Sequence, residues 1–249
     1  MKQIKLSGRL AAVAGFAARG AGVIDVGTDH GRVPVYLAAS GYPGDIYASD
    51  INVRPLSRAR ELARAYGVDG RITFLLGDGL DVVCAGDADT VIIAGMGGET
   101  IARILSGAGR LYGGVSLVLQ PQTKLWRLCD WLDGGGYRVA DASLAEDANR
   151  VYPVLLARAG QGGGARADMF ACLADKRDAA LPGYISSLIA GAERAARGQA
   201  SSRIPADATA ETELRFLRKM SAYAGGWDAI VNEHRFRRRA DGTQGTGET

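Results

Sequence analysis

The sequence predicts an α/β protein, a doubly wound sheet of seven strands followed by an α-helical hairpin. Three observations predict it. Val23-Ile24-Asp25-Val26-Gly27-Thr28-Asp29-His30-Gly31 reads as a short buried strand, a glycine turn and the start of a helix, which is how a doubly wound sheet opens its ligand crevice. Three later apolar runs end in an acid or in glycines, at Asp50, at Gly77-Asp78-Gly79 and at Gly95-Met96-Gly97-Gly98. Beyond Gln161-Gly162-Gly163-Gly164-Ala165 the strand pattern stops and only helical periodicity remains.

Composition leaves room for this plan and narrows the function classes. The 249 residues are 47% hydrophobic and 23% charged, enough for one large α/β domain and a smaller appendage. No apolar run approaches the ~20 residues of a membrane span, and the N-terminus carries no secretion signal pattern. Cys84, Cys129 and Cys172 are scattered and odd in number, so free thiols in a reducing cytoplasm are expected, not a disulfide framework. With only His30 and His234, no metal centre is expected. The net charge of +3 permits nucleic-acid binding without requiring it.

In chain order, Leu6, Leu10, Val13 and Ala17 fall at helical spacing, giving a helix over about 6–19. Arg9 lies off its apolar stripe, where a solvated cation is expected. The strand Val23–Val26 leads into a helix starting near Gly31, with Pro34 in a first turn that loses no intrahelical bond to it. The turn is not the dinucleotide fingerprint, because Asp29 and His30 occupy it. Two side chains able to bond a ligand fit a cofactor with an amino-acid end, such as S-adenosylmethionine. The alternative is a tight turn with Asp29 as helix cap.

Strand two, Asp45 to Asp50, ends in an acid twenty-odd residues after the glycine turn. That is the spacing of a carboxylate beside an adenosine ribose, although such an acid can also cap the next helix. Leu56, Ala59, Leu62, Ala63 and Tyr66 form the apolar stripe of that helix, and Gly67 stops it. Strand three is Ile72–Leu76. The acid of Gly77-Asp78-Gly79-Leu80 can reach an adenine amino group, with Leu80 against the ring, or form a simple Asp-Gly turn. Asp89–Ala94 is apolar on both faces and therefore central. The glycines after it let a reactant approach the backbone.

Val115–Leu119 is strand five, closed by Gln120-Pro121-Gln122. A helix with Trp126, Leu128, Trp131 and Leu132 ends at Gly134-Gly135-Gly136. Tyr137–Leu144 and Val151–Ala157 then form a closing hairpin that puts one antiparallel strand at the sheet edge. Helices are expected over about 183–198 and 208–231, with Pro205 in the turn between them. A Gly/Thr-rich tail over 240–249 is expected to be disordered.

Asp25-Val26-Gly27-Thr28-Asp29-His30-Gly31, Ala48-Ser49-Asp50-Ile51, Gly77-Asp78-Gly79-Leu80 and Ala94-Gly95-Met96-Gly97-Gly98 together resemble one family. It is the bacterial tRNA (adenine(22)-N1)-methyltransferase (TrmK-like) family of class I S-adenosylmethionine-dependent methyltransferases. The resemblance covers about residues 4–158. It departs at Arg54, where the family usually has glycine, and in a short, glycine-rich helical region. It implies a Rossmann-like methyltransferase domain over 1–160, a coiled-coil-like helical hairpin that docks tRNA over 161–239, and the tail.

The cofactor it implies is S-adenosylmethionine. The implied site holds Asp25, Gly27, Thr28, Asp29, His30, Gly31, Asp50, Ile51, Gly77, Asp78, Gly79, Leu80, Ala94, Gly95 and Met96. Methylation is implied at adenine N1, adenine 22 of the tRNA D-arm region. Asp29 is the first candidate to stabilise the reacting base, and the carbonyls of Gly95, Met96 and Gly97 are candidates to accept from its exocyclic amine. Arg9, Arg194, Arg197, Arg203, Arg215, Arg218 and Lys219 are the candidate RNA contacts. A cytoplasmic monomer or weak dimer without metal is expected. The competing readings are a non-catalytic RNA-binding or regulatory protein that keeps a nucleotide pocket, and a methyltransferase for a small molecule or a protein.

Overall fold

The computed structural model describes residues 4–17, 22–81, 88–107, 114–161, 164–200 and 208–223. The chain divides into two compact units, Met1–Arg166 and Ala167–Thr249. Cys84, Arg203, Pro205, the glycines at 162 and 163, the basic run over 235–239 and the tail lie outside the described residues, as does the end of the helix expected to reach 231.

The first unit runs α1 (Gly8–Ala17), β1 (Val23–Val26), α2 (Arg32–Ala39), β2 (Ile46–Asp50), α3 (Val53–Tyr66), β3 (Ile72–Leu76), β4 (Thr90–Gly97), α4 (Gly98–Gly107), β5 (Ser116–Thr123), α5 (Leu125–Gly134), β6 (Tyr137–Asp147) and β7 (Arg150–Ala159). A 3-10 turn at Asp69–Arg71 precedes β3. The described strands form a seven-stranded sheet in the order β3-β2-β1-β4-β5-β7-β6. β1 to β5 are parallel. β4 is the middle strand, and Val91, Ile92 and Ile93 are fully buried there, each contributing about 1.5–3 kcal/mol by leaving water. Side chains alternate across it. Ile92 and Val118 join the core formed with α1, α2 and α3, while their strand neighbours Ile93 and Leu119 take the opposite direction.

Strand order reverses between β1 and β4. Both strands therefore open their carboxyl ends onto one crevice, the usual ligand position in this architecture. α3 ends as the sequence suggests. Gly67 takes φ 68°, and the N–H groups of Gly67 and Val68 donate to Arg64 and Ala63, a left-handed helix stop that glycine enters without a Cβ penalty.

The closing hairpin differs in two respects from the sequence expectation. β7, the antiparallel strand, is not the edge. It lies between β5 and β6, and β6 forms the edge parallel to β5. The tight turn at Ala148 and Asn149, both at positive φ, makes the two strands neighbours. β7 takes the inner place because its run from Pro153 to Ala157 is buried continuously, as suits a strand covered on both faces, whereas β6 buries only Val139, Ala142 and Ala145. The hairpin is also longer than its apolar pattern suggests, because paired backbone carries it through Glu146 and Asp147.

α6 (Ala165–Asp175), which the sequence reading did not separate out, spans the division between the units. α7 (Leu181–Ala200) and α8 (Ala208–Tyr223) follow. In the second unit Met169, Phe170, Leu173, Leu181, Ile185 and Leu217 are buried. Phe170 and Phe216 pack at 5.7 Å between ring centroids. Arg218 of α8 reaches Glu193 of α7 at 3.1 Å, so the two helices lie side by side.

Candidate active site

The three acids singled out in the sequence stand at the carboxyl ends of three adjacent strands, Asp25 within β1, Asp50 closing β2 and Asp78 just after β3. The turn after β1 is pinned from below. The N–H groups of Gly27 and Thr28 both donate to the Ser49 carbonyl, at 2.8 and 2.9 Å. Gly27 sits at φ 69°, and a Cβ there would lie 2.1 Å from Met96 Cε. The tip of Met96 thus covers Gly27 and joins the first turn to the segment after β4. Gly31, at φ 64°, starts α2. A Cβ on it would stand 2.6 Å from Ala59 Cβ and 3.0 Å from Ala59 Cα, so glycine here permits α2 to approach α3. Asp29 does not cap α2. Its φ is 50°, the helix N-cap is Gly31 without a side-chain cap bond, and its carboxylate is exposed beside His30 Nε2 at 3.5 Å.

Asp50 is buried and holds two turns at once. Its Oδ1 accepts from the Asn52 N–H at 2.8 Å, and its Oδ2 accepts from the Asp29 N–H at 3.3 Å. It therefore shapes the entry to α3 without capping it. A carboxylate has about four acceptor positions, so capacity remains for a pair of hydroxyls. Asp78 is exposed on a turn with Gly79 at φ 57°. The Leu80 side chain is fully buried and offers no apolar face to a ligand ring. Ile51 and Leu76 offer one instead, at 60% and 54% exposure around the ends of β2 and β3. The sequence reading missed Leu76, because an apolar residue at the end of an apolar strand carries no outward signal.

Asp25 is buried, and its Oδ2 accepts from Thr28 Oγ1 at 2.7 Å. Burial pushes its pKa up to about 7. The Thr28 hydroxyl pulls the other way, and the Asp50 charge adds to the rise. The folded protein thus binds this proton more tightly than the unfolded chain, whose pKa lies near 3.8. The contribution to stability is complete below about 3.8 and is lost as pH rises to about 7, with a slope of at most about 1.4 kcal/mol per pH unit. Asp25→Asn stays neutral throughout. Its melting temperature should exceed that of the wild type at pH 8, and the gap should close below about pH 4. Paired thermal melts across pH 4–8 check this, and a constant gap would show that Asp25 is charged at all these pH values.

Strand pairing does not stop at Ala94, where the apolar run ends. β4 continues through Gly95, Met96 and Gly97 as bulged strand, paired with the Gln120–Thr123 end of β5. Gly95, at φ 80°, is a bulge residue, a conformation that suits glycine. A Cβ on Gly98 would lie 2.3 Å from the Lys124 carbonyl oxygen, so β4 can turn into α4 there only because glycine has no side chain. Gln120, fully buried, locks the bulge. Its Oε1 accepts from the Gly95 N–H at 3.1 Å, and its Nε2 donates to the Pro121 carbonyl at 3.0 Å.

Arg9 is not a solvated surface cation free for RNA. Its side chain is only 18% exposed. Nη1 donates to Gln120 Oε1 at 2.7 Å, and Nε donates to Asp147 Oδ2 at 3.3 Å. Helical periodicity missed this because the first turn of α1 lies against the end of β6, where a Cβ on Gly8 would stand 2.6 Å from the Glu146 carbonyl oxygen. The packing of that turn is set by a strand far away in the sequence. Gln120 did carry a signal, an amide directly at the end of an apolar strand. Asp147 carried none. Among the described residues no cluster of metal-ligating side chains occurs, and no helix is long and apolar enough to cross a membrane.

The seven-stranded sheet with its inserted antiparallel strand, and the acids over β1 to β3, define a methyltransferase of the Rossmann-like class. A family model described as a methyltransferase domain matches residues 6–155. The tRNA (adenine(22)-N(1))-methyltransferase of Bacillus subtilis is 36% identical over 161 residues, 64% of this chain and 68% of that protein. The chain belongs to the tRNA (adenine(22)-N1)-methyltransferase family. The crystal structure of the B. subtilis m1A22 tRNA methyltransferase TrmK is similar at 27% identity and TM-score 0.71, over 92% of this chain and 100% of that one. A Streptococcus pneumoniae protein, described as a candidate tRNA (m1A22) methyltransferase and solved in complex with S-adenosyl-L-methionine, is similar at 26% identity and TM-score 0.74, over 87% and 100%.

Proposed function

We propose that this protein transfers a methyl group from S-adenosylmethionine to N1 of adenine 22 in tRNA. The observation that carries the reading is the likeness to the B. subtilis enzyme in a chain whose acids and glycine bulge border one crevice. The residues fit the cofactor. Asp50 keeps acceptor capacity for two ribose hydroxyls, Ile51 and Leu76 present exposed apolar surface for the adenine, and the exposed Asp78 can take its amino group. The turn from Asp25 to Gly31 would receive the amino-acid end. S-adenosylmethionine, when bound, supplies a methyl group activated by a positively charged sulfur.

The protein then mainly has to place two reactants and exclude water. Adenine N1 lies in the ring plane and is occupied by base pairing in a duplex, so the target must be unpaired or swung out. The carbonyls of Gly95 to Gly97 would accept from its exocyclic amine. Asp29, exposed at the rim, would stabilise the positive charge that develops on the ring. Arg194, Arg197, Arg215, Arg218 and Lys219, exposed on α7 and α8, would contact tRNA phosphates. A tRNA substrate implies a cytoplasmic enzyme.

The test is transfer of radiolabelled methyl to tRNA, with the position mapped by primer extension, which stops at 1-methyladenine. Label is expected on tRNA carrying adenine 22 and absent when guanine replaces it. Label on protein or small molecules alone would select the second competing reading, and no transfer to any acceptor would select a non-catalytic RNA binder.

A further inference from the structure

Arg9 is a charged side chain drawn into the crevice, and the roles already assigned do not use it. Its Nη1 and the Gly95 N–H share one acceptor, Gln120 Oε1, at 2.7 and 3.1 Å. The orientation of that amide is fixed from the other end by the Pro121 carbonyl. Nη1 also lies 3.6 Å from the Cβ position at Gly95, so the guanidinium stands against the bulge itself. Asp147, 27% exposed, holds the other side of the guanidinium and neutralises it locally. Fastening α1 to β6 does not require Arg9, since Ser7 Oγ already donates to Asp147 Oδ2 at 2.9 Å.

We propose that Arg9, braced by Asp147 and acting through Gln120, is a positioning residue that fixes the Gly95 bulge against which the target base docks. This rests on the function proposed above. Gly95 has no side chain to anchor it and sits in a bulge where ladder pairing is interrupted. The peptide plane that enters the bulge, carrying the Ala94 carbonyl and the Gly95 N–H, is therefore held through that N–H by Gln120, and Gln120 is held in turn by a charge-assisted bond from Arg9, stronger than a neutral one. Pairing with Asp147 also keeps an unbalanced cation away from a base that becomes positively charged.

The full-length protein is tested with Arg9→Ala, Arg9→Lys and Ser7→Ala, using single-turnover methyl transfer to tRNA, separate dissociation constants for S-adenosylmethionine and tRNA, and amide hydrogen exchange across Gly95 to Gly97. Arg9→Ala should slow methyl transfer by roughly a hundredfold, the scale of an ångström-sized misplacement, with both dissociation constants within about threefold of wild type. Exchange at the Gly95 amide should rise by about tenfold or more, the effect of weakening one hydrogen bond. Arg9→Lys should not restore the rate, because one ammonium cannot bridge Gln120 and Asp147 in this geometry. It serves as the test variant if Arg9→Ala melts early. Ser7→Ala should leave rate and exchange unchanged.

Wild-type rate and exchange in Arg9→Ala would overturn the proposal. So would loss of tRNA affinity and salt dependence with an unchanged rate, which makes Arg9 a phosphate ligand, or an equal loss in Ser7→Ala, which makes the tie between α1 and β6 a general anchor. Hydrogen exchange needs no activity. A wild-type protein that fails to methylate tRNA while Gly95 exchange still responds to Arg9 would therefore reject the function and leave the brace standing.

Discussion

Asp50→Ala is expected to weaken S-adenosylmethionine binding by roughly a hundredfold or more. Two charge-assisted bonds to ribose hydroxyls are lost, each about 1.5–3 kcal/mol, and about 3 kcal/mol already corresponds to more than a hundredfold. The structure adds a complication that the sequence did not show. The same carboxylate accepts from Asp29 and Asn52, so alanine also loosens both turns. Asp50→Asn separates the two effects. It keeps a carbonyl acceptor for the backbone but loses the charge and replaces one acceptor oxygen with a donor. Because each carboxylate oxygen accepts one backbone N–H, the amide can serve only one of the two turns, so the variant should melt between Asp50→Ala and wild type and still lose most of the affinity. It should also ease the proton off Asp25, whose raised pKa owes its smaller positive contribution to the Asp50 charge. Titration calorimetry on the wild type and both variants, with NAD as competitor, is the measurement. An unchanged dissociation constant in Asp50→Ala would reject the ribose assignment, and NAD binding more tightly than S-adenosylmethionine would reject the cofactor.

What was legible in the sequence was set by how local its physical cause is. The boundaries of β3 and the stop of α3 at Gly67 follow from apolar runs and a left-handed glycine, both properties of a few adjacent residues. The central place of β4 follows from its being apolar on both faces. The strand is expected to end at Ala94 because glycine-rich sequence carries no strand signal, yet pairing with β5 extends it through Gly95 to Gly97. The antiparallel strand was expected at the edge because a hairpin turn pairs two strands without saying which lies inward, and the continuous apolar run of β7 decides that. The brace of Arg9, Gln120 and Asp147 was invisible. Its members come from α1, β5 and β6, and no local pattern links them.

The other large effect is expected from removing the second unit. Truncation should abolish most of the tRNA affinity and leave S-adenosylmethionine binding nearly unchanged. The sequence suggested a cut near Gly160. The structure moves it to Arg166. The Ala165 N–H donates to Asp133 Oδ1 at 2.8 Å, and Arg166 pairs with Asp130 and lies over the Trp126 ring at 5.2 Å. A chain ending at Gly160 would strip α5 of these partners and confuse lost stability with lost docking. A chain ending at Arg166 keeps every strand and every cofactor candidate. It lacks Arg194, Arg197, Arg215, Arg218 and Lys219, all exposed. The pair between Arg218 and Glu193 is exposed as well, and such pairs are worth only about 0–1 kcal/mol, so phosphate can displace it. For every tRNA phosphate that the truncated chain no longer neutralises, the slope of log affinity against log salt should flatten by roughly 0.7 to 0.9. Three such phosphates would shift it by about two units or more, well within the resolution of fluorescence anisotropy at several salt concentrations. If tRNA affinity and its salt slope survive, the second unit is not the docking arm, and the phosphates are held by the methyltransferase domain. If S-adenosylmethionine binding disappears together with tRNA binding and the truncated chain melts early, the helices stabilise the first unit instead of recruiting RNA.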